Sequence, residues 1–500
     1  MTAIHDLEFK IYNHWTIMHG STTAKQLVYD MLSILDPKRW VKQSFRQKRW
    51  DGYFRMYNTA SGYLYTGMLN YVLDRLEKEV ISVHPGFLEY KTTDERIYSE
   101  PLGDSWNLPD ITLRDYQVDA LKAIFSAPVR CRGIIQAATN SGKTEILLGL
   151  TKYMGRKTLY VCPNYSPLAE QTYKRFVKRG FTDVSLYHGK LEDLDAQVVV
   201  SNIQILYSRK LSIVKFLESV EVLLIDEVHT AQSKSYHEVM RLCSNAYTRI
   251  GVSGTPFKGD VYTDLMVTAG LGGVVYKISN DSLIKRGFSA KPIIKFIEYD
   301  DKLFEFPKEP KPKYDFVYNT CIVKNNERTS LLANIAKQVV DFGDNVIIFC
   351  TLLDHIEKIG MLLRNYNISF EVVTGDTDGR ERIKASFENR GVSVLLVTSV
   401  FDVGVDFEGG VDCIINAAGS KSITKQLQRL GRGLRLQNNK WDKCLLIDFV
   451  DKNIYVKNHT EERIKIYEKE KFDVEIVDQV DLSKMFKTYY EEKLNFIQGG

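Results

Sequence analysis

The stretch Gly133-Ile-Ile-Gln-Ala-Ala-Thr-Asn-Ser-Gly-Lys-Thr144, followed by Glu145-Ile-Leu-Leu-Gly-Leu150, decides how this chain folds. Gly133–Gln136 opens a short buried strand, and the apolar residues from Ile146 to Leu150 begin a helix. The small polar residues between them let backbone N–H groups converge at a helix N-terminus, where they cradle phosphate oxygens. Strand, then loop, then helix is the context a Walker A phosphate loop requires. In that reading Thr139, Asn140, Ser141 and Gly142 line the phosphates, Lys143 reaches the β/γ-phosphates of ATP and Thr144 holds Mg²⁺. Ala137 stands where a first glycine is common, and Asn140 where glycine is usual; the second change alters loop stiffness but leaves Lys143 and Thr144 in place.

Outward from the loop the chain alternates short β-branched runs with longer amphipathic segments. Thr158–Cys162, Val198–Ser201, Val222–Ile225 and Arg249–Val252 read as buried strands, which argues βαβ units around a parallel sheet. The run Val222–Ile225 ends at Asp226-Glu-Val-His229. Carboxylates at the C-terminal end of a parallel strand face the ligand crevice of such sheets. Asp226 is read as a Mg²⁺ holder, mostly through water, and Glu227 as the group that orients and deprotonates the attacking water. One histidine and two acids without a further Cys or His fit Mg²⁺ better than zinc. Past a polar, proline-bearing segment, Phe306–Pro312, the rhythm resumes with Val346–Phe349, Phe370–Val373, Val394–Val397, Cys413–Asn416 and Cys444–Ile447. The fold class expected is α/β: two parallel-sheet domains in tandem, preceded by a small α+β N-terminal module. The expected divisions are 1–108 for the module, 109–295 for the first domain, 296–325 for a hinge, 326–455 for the second domain and 456–500 for a charged helical tail.

Composition agrees with a globular chain of about three domains. It has 500 residues, 44% apolar and 26% charged, with only 12 prolines, which excludes a mainly disordered or fibrous protein. No apolar run approaches the roughly 18 residues of a membrane span, so no membrane association is expected. The seven cysteines are scattered, with no Cys-x-x-Cys pair, so neither a disulfide framework nor a zinc site is indicated. A reducing cytoplasm is expected, the host's if the chain is viral. The net charge of +4 is too small to identify a nucleic-acid partner by itself.

Gln428-Arg-Leu-Gly-Arg-Gly-Leu-Arg435 places Arg432 and Arg435 at i, i+3, on one helix face. Two such guanidinium groups can stabilise charge on a γ-phosphate; read alone, the stretch is equally a solvated basic helix. Taken in order, these motifs resemble those of the superfamily 2 helicases over residues 110–450. The resemblance implies two RecA-like domains, with the chemistry between them, and ATP and Mg²⁺ as cofactors. It implies an adenine-reading role for Arg114 and Gln117 in Leu113-Arg-Asp-Tyr-Gln117. Lys143, Asp226, Glu227, Gln428, Arg432 and Arg435 become the catalytic set, with Gly404 and Asp406 of Thr398–Asp406 near the nucleotide. Pro163, Asn164, Thr351 and Thr398 are implied as nucleic-acid contacts. His229, with Ser253 and Thr255 of Ser253-Gly-Thr-Pro256, would couple hydrolysis to the bound strand.

Residues 38–57 carry Lys38, Arg39, Lys42, Arg46, Lys48, Arg49 and Arg55 against the single acid Asp51, with Trp40, Phe45, Trp50, Tyr53, Phe54 and Tyr57 interleaved. Basic groups neutralise phosphates and rings stack on bases. Equally, the rings can form the core of a small β-rich domain; Trp50 and Tyr57 are expected there, and Arg46, Lys48 and Arg49 at phosphates. The segments Phe45–Tyr57 and Tyr63–Gly67 are similar to the N-terminal module of the bacteriophage UvsW-type helicases. That resemblance implies a DNA helicase or translocase that unwinds or branch-migrates forked and recombination-type DNA, usually moving 3′ to 5′, with single-stranded and branched DNA as partners. The alternatives are an RNA helicase, a duplex translocase that does not separate strands, and a nucleic-acid-binding module with a decayed ATPase. Oligomeric state is not legible.

Overall fold

The computed structural model describes every residue except 1–3, 84–87, 164–165, 301–302, 308–310, 376, 399–410, 423–425, 428, 432–433, 435–440 and 500. The chain divides into two compact units, Met1–Ala138 with Gly142–Ile278, and Thr139–Ser141 with Ser279–Gly500.

The first unit begins with the N-terminal module. Its strands are β1 (Ile4–Ile11), β2 (Trp15–His19), β3 (Ser33–Leu35), β4 (Tyr53–Arg55), β5 (Tyr57–Asn58), β6 (Tyr63–Tyr65) and β7 (Leu88–Asp94). Five of them form a mixed sheet in the order β5-β6-β2-β1-β7, in which only β1 and β7 are parallel. Along β1 the period-2 pattern buries Leu7, Phe9 and Ile11. They pack on the helix Thr22–Met31, whose N-cap Ser21 accepts a hydrogen bond from the Ala24 N–H at 3.2 Å.

The rest of the first unit is a seven-stranded, all-parallel sheet: β8 (Arg132–Ala137), β9 (Thr158–Cys162), β10 (Val184–Leu186), β11 (Val198–Asn202), β12 (Val222–Asp226), β13 (Thr248–Ser253) and β14 (Val274–Ile278). The order is β10-β11-β9-β12-β13-β8-β14. Every residue of β9, β11, β12 and β13 is buried, as expected when helices cover both faces.

The module is seated on this sheet. A Cβ at Gly67 would lie 2.1 Å from the Thr268 carbonyl oxygen and 2.5 Å from that of Ala269, so only glycine lets the two backbones meet. The Asn13 amide donates to the Ser244 carbonyl at 2.8 Å. The buried Arg132 guanidinium donates to the carbonyls of Asn13 and Gly270.

The second unit repeats the plan. Its strands are β15 (Lys291–Glu298), β16 (Val346–Phe349), β17 (Phe370–Val373), β18 (Val394–Val397), β19 (Cys413–Asn416), β20 (Lys443–Phe449) and β21 (Val474–Asp478), all parallel, in the order β17-β18-β16-β19-β20-β15-β21. Strand for strand this is the order of the first sheet. The architecture is therefore two tandem RecA-like parallel sheets after an α+β module.

Two expected boundaries differ from the structure. The division at 295/296 falls inside β15, which pairs over seven residues with β20 and over five with β21, so the second sheet already claims Lys291. Residues after 456 are not merely an exposed tail. They supply β21 and a helix, Leu482–Gly499, whose Leu482, Phe486, Tyr489 and Tyr490 are buried in the second core. Their spacing of i, i+4, i+7, i+8 is an amphipathic stripe that the charged residues around it obscure.

Candidate functional site

The phosphate loop leaves β8 and enters the helix Lys143–Met154 through Gly142, whose φ is 73°. Asn140 has φ 72°. Asparagine is among the few side chains that tolerate this left-handed region, which explains how it stands where glycine is usual. The helix holds the loop in place by burying Ile146, Leu147, Leu148 and Leu150 completely, while Lys143 and Thr144 remain half-exposed. Gln117 reaches the same loop. Its side-chain oxygen accepts the Arg114 N–H at 2.8 Å, and its amide nitrogen lies 2.4 Å from where a Cβ on Gly142 would be. The Gln117 amide thus caps its own helix, Asp115–Phe125, while its nitrogen packs over the phosphate loop.

Strand β12 delivers Asp226 and Glu227 to the same edge of the sheet. Glu227 adopts a left-handed conformation, φ 47° and ψ 54°, and its N–H donates to Asp226 Oδ1 at 2.8 Å. A non-glycine residue held there is strained, and such strain concentrates at functional positions. Burial and the neighbouring Glu227 carboxylate raise the Asp226 carboxyl above its ordinary range. Glu227 is half-buried, and it is held below its ordinary range by hydrogen bonds from His229 and Ser253 and by the charge of Lys143. Lys143 favours the ionised form of both acids, so the structure brings all three predicted residues into one electrostatic cluster.

Glu227 is also the start of a relay. His229 Nδ1 lies 3.1 Å from Glu227 Oε2, and the Ser253 hydroxyl donates to the same oxygen at 3.2 Å. His229 Nδ1 and Ser253 Oγ are 3.3 Å apart, and the Thr255 N–H donates to Ser253 Oγ at 3.2 Å. The three residues expected to couple hydrolysis to a bound strand therefore form one hydrogen-bonded chain running from the acid to the segment after β13.

A hydroxyl at Thr144 and one carboxylate at Asp226 suit a hydrated Mg²⁺ that takes its remaining ligands from phosphates and water. Among the described residues there is no cluster of three or more His, Cys, Asp or Glu that would build a self-sufficient metal cage. All seven cysteines are free and buried. No helix among the described residues is long and apolar enough to cross a membrane.

In the second unit, Thr351 and Thr398 follow the adjacent strands β16 and β18. Thr351 is exposed and Thr398 is 8% exposed, so of the two only Thr351 presents much surface. Pro163 is half-exposed at the end of β9. Asn164, Gly404, Asp406, Gln428, Arg432 and Arg435 lie outside the described residues.

The segment before Arg432 is anchored by a buried polar network that the motif reading missed. The Arg429 guanidinium donates to Asn416 Oδ1 at 3.0 Å, and the Asn416 amide donates to Gln426 Oε1 and to Asp448 Oδ2. Arg463 grips both Asp448 oxygens at 2.9 Å. Arg328 pairs with Asp451 at 2.8 Å. Arg463 belongs to the part of the chain read as a charged tail, and only an arginine in phase with Ile466 and Tyr467 on the buried stripe hinted at it.

The basic aromatic segment of the module forms a groove of about 930 Å³ lined by Trp40, Phe45, Arg46, Lys48, Arg49, Trp50, Asp51 and Arg55. Arg46, Lys48 and Arg49 are exposed, and Trp40 is 61% exposed. Tyr57 is core, as expected, but Trp50 is only half-buried and lines the groove. Its indole N–H donates to the Tyr53 carbonyl at 2.8 Å, and the Lys42 ammonium lies 5.2 Å from its ring centre, so its neighbours are polar on one side.

Known proteins resemble this chain over most of its length. Residues 110–258 match the family described as "Type III restriction enzyme, res subunit", and residues 327–437 match "Helicase conserved C-terminal domain". Helicase 22 of Sulfolobus islandicus filamentous virus is 22% identical over 70% of this chain, which spans 66% of that protein's length. The DNA 3′-5′ translocase XPB2 of Sulfurisphaera tokodaii is 28% identical over 68% of this chain and 82% of its own. The crystal structure of T4 UvsW aligns with 95% of this chain and 100% of its own at 19% identity, with a TM-score of 0.43. With both domains matched in order along it, the chain belongs to the superfamily 2 helicases.

Proposed function

We propose that the chain is an ATP-dependent, Mg²⁺-requiring DNA helicase or translocase that unwinds or branch-migrates forked and recombination-type DNA. The observation that carries this is the convergence of Lys143, Asp226 and Glu227, with Glu227 tied to Ser253 and Thr255. Bound Mg²⁺ would neutralise phosphate charge as the terminal phosphoryl group leaves. Lys143 would bind the phosphates, Thr144 and Asp226 would hold the cation, and Glu227 would take the proton of the attacking water. That role fits a carboxylate kept ionised by its neighbours. Arg432 and Arg435 would stabilise charge on the departing phosphoryl group.

Two features favour DNA. A sequence relative spanning most of its length is named as a DNA translocase. The module offers a groove in which exposed cations and rings lie side by side, suited to phosphates and bases together. Contacts of that kind are mostly to the backbone, so binding is expected to be weakly sequence-specific.

The test is strand displacement on a DNA fork, a DNA duplex and an RNA duplex, with wild type and Lys143→Ala. Displacement of forked DNA that Lys143→Ala abolishes, while DNA binding persists, is the expected result. Unwinding of RNA but not of the fork would reverse the assignment of substrate, and displacement by Lys143→Ala would exclude the site.

A further inference from the structure

We propose that Tyr160 is a positioning residue for the metal-holding carboxylate of Asp226, an inference that rests on the reading of Asp226 as a Mg²⁺ ligand. Strands β9 and β12 are parallel neighbours, with Tyr160 opposite Leu224. Asp226 is two residues further along the same strand, so its side chain points to the same face as those of Leu224 and Tyr160. A phenol is long enough to cover that distance. Its hydroxyl donates to Asp226 Oδ2 at 3.2 Å. The other oxygen, Oδ1, is taken by the Glu227 N–H at 2.8 Å. With one donor on each oxygen, the carboxylate has no free rotation about its own bond. Each oxygen keeps a second lone pair for the water shell of a cation.

The ring itself is fixed. Tyr160 is fully buried and meets Phe176 edge-on, with centroids 5.7 Å apart and planes at 86°. A tyrosine in the wholly buried strand Thr158-Leu-Tyr-Val-Cys162 needs a partner for its hydroxyl, because an unpaired buried hydroxyl is costly. Asp226 is that partner. Groups that hold a metal's ligand from behind orient it, and losing one typically costs about 10- to 100-fold in metal affinity or activity.

The experiment uses the full chain carrying Tyr160→Phe, which keeps the ring and removes only the hydroxyl. A fluorescent ADP analogue is titrated in EDTA and again across a MgCl₂ series, with Asp226→Asn alongside, and ATP turnover is measured separately. The expected result is unchanged ADP affinity in EDTA, which also reports an intact fold. The Mg²⁺ concentration for half-maximal enhancement should rise roughly tenfold, and kcat should fall with little change in KM for ATP. If Asp226→Asn alters the Mg²⁺ dependence and Tyr160→Phe does not, the positioning role is overturned and the metal site stands. If Asp226→Asn itself leaves the Mg²⁺ dependence unchanged, the reading of the metal site fails, and the role of Tyr160 with it.

Discussion

At the scale of single residues, Glu227 is the proposed base. It is half-buried, strained at φ 47°, and held in its ionised form by His229, Ser253 and Lys143. Perturbed carboxyl groups of this kind cluster at functional sites. Glu227→Gln removes the base while leaving the shape, so hydrolysis should slow by roughly 10²- to 10⁴-fold, with nucleotide affinity little changed. Single-turnover hydrolysis beside a nucleotide-binding titration checks this; an unimpaired rate would mean that another group takes the proton. The residues that sequence alone identified here, Lys143, Asp226 and Glu227, sit at fixed offsets from strand ends, where spacing carries geometric meaning. Tyr160 sits mid-strand, where the same reading assigns any large residue to the core, so only the position of its hydroxyl betrays it.

At the scale of elements, the seam between the module and the first parallel sheet leaves no room for a side chain at Gly67. Gly67→Ala would drive a methyl group into two backbone carbonyls. Backbone cannot yield as a side chain does, so a loss of about 1–3 kcal/mol is expected, read as a lowered thermal midpoint. The same seam is sensitive to acid. Burial first, then the charges of Arg249 and Arg132, push the His14 imidazole down to about 2, and burial pushes His237 down to about 4. Unfolded histidines bind protons near pH 6.5 while these folded ones do not, so the unfolded state holds more protons between those values. Stability is therefore full above about pH 6.5 and is lost as pH falls, by up to about 1.4 kcal/mol per pH unit for each histidine. His14→Phe should make the loss of thermal stability from pH 7 to pH 4.5 less steep; an unchanged slope would show that His14 titrates freely.

Element boundaries also show where reading from sequence stopped. Five of the seven strands in each sheet were legible, because short β-branched runs between longer amphipathic segments mark βαβ units, whereas β10, β14, β15 and β21 carry a weaker pattern. Strand ownership was not: β15 joins β20 and β21 through contacts roughly 150 and 180 residues away along the chain. The groove of the module was legible as composition, but whether Trp50 faces inward or outward depends on a turn that composition does not specify.

For the molecule as a whole, the two sheets share one strand order. The second copy depends on the far end of the chain, through β21, the Phe486–Tyr490 core and the wholly buried Arg463–Asp448 pair. Breaking such a pair by removing one partner costs about 3–5 kcal/mol. A chain ending at residue 455 should therefore lose a cooperative melting transition while the first unit keeps its own, as two-step calorimetry would show; two intact transitions would contradict this.

The most direct measurement is the steady-state ATPase rate with no nucleic acid, single-stranded DNA, duplex DNA, forked DNA and RNA, each with wild type and Lys143→Ala. The account predicts a low basal rate, strongest stimulation by forked DNA, and no turnover by the variant under any condition. A rate indifferent to every nucleic acid, or one that survives the loss of Lys143, would contradict it.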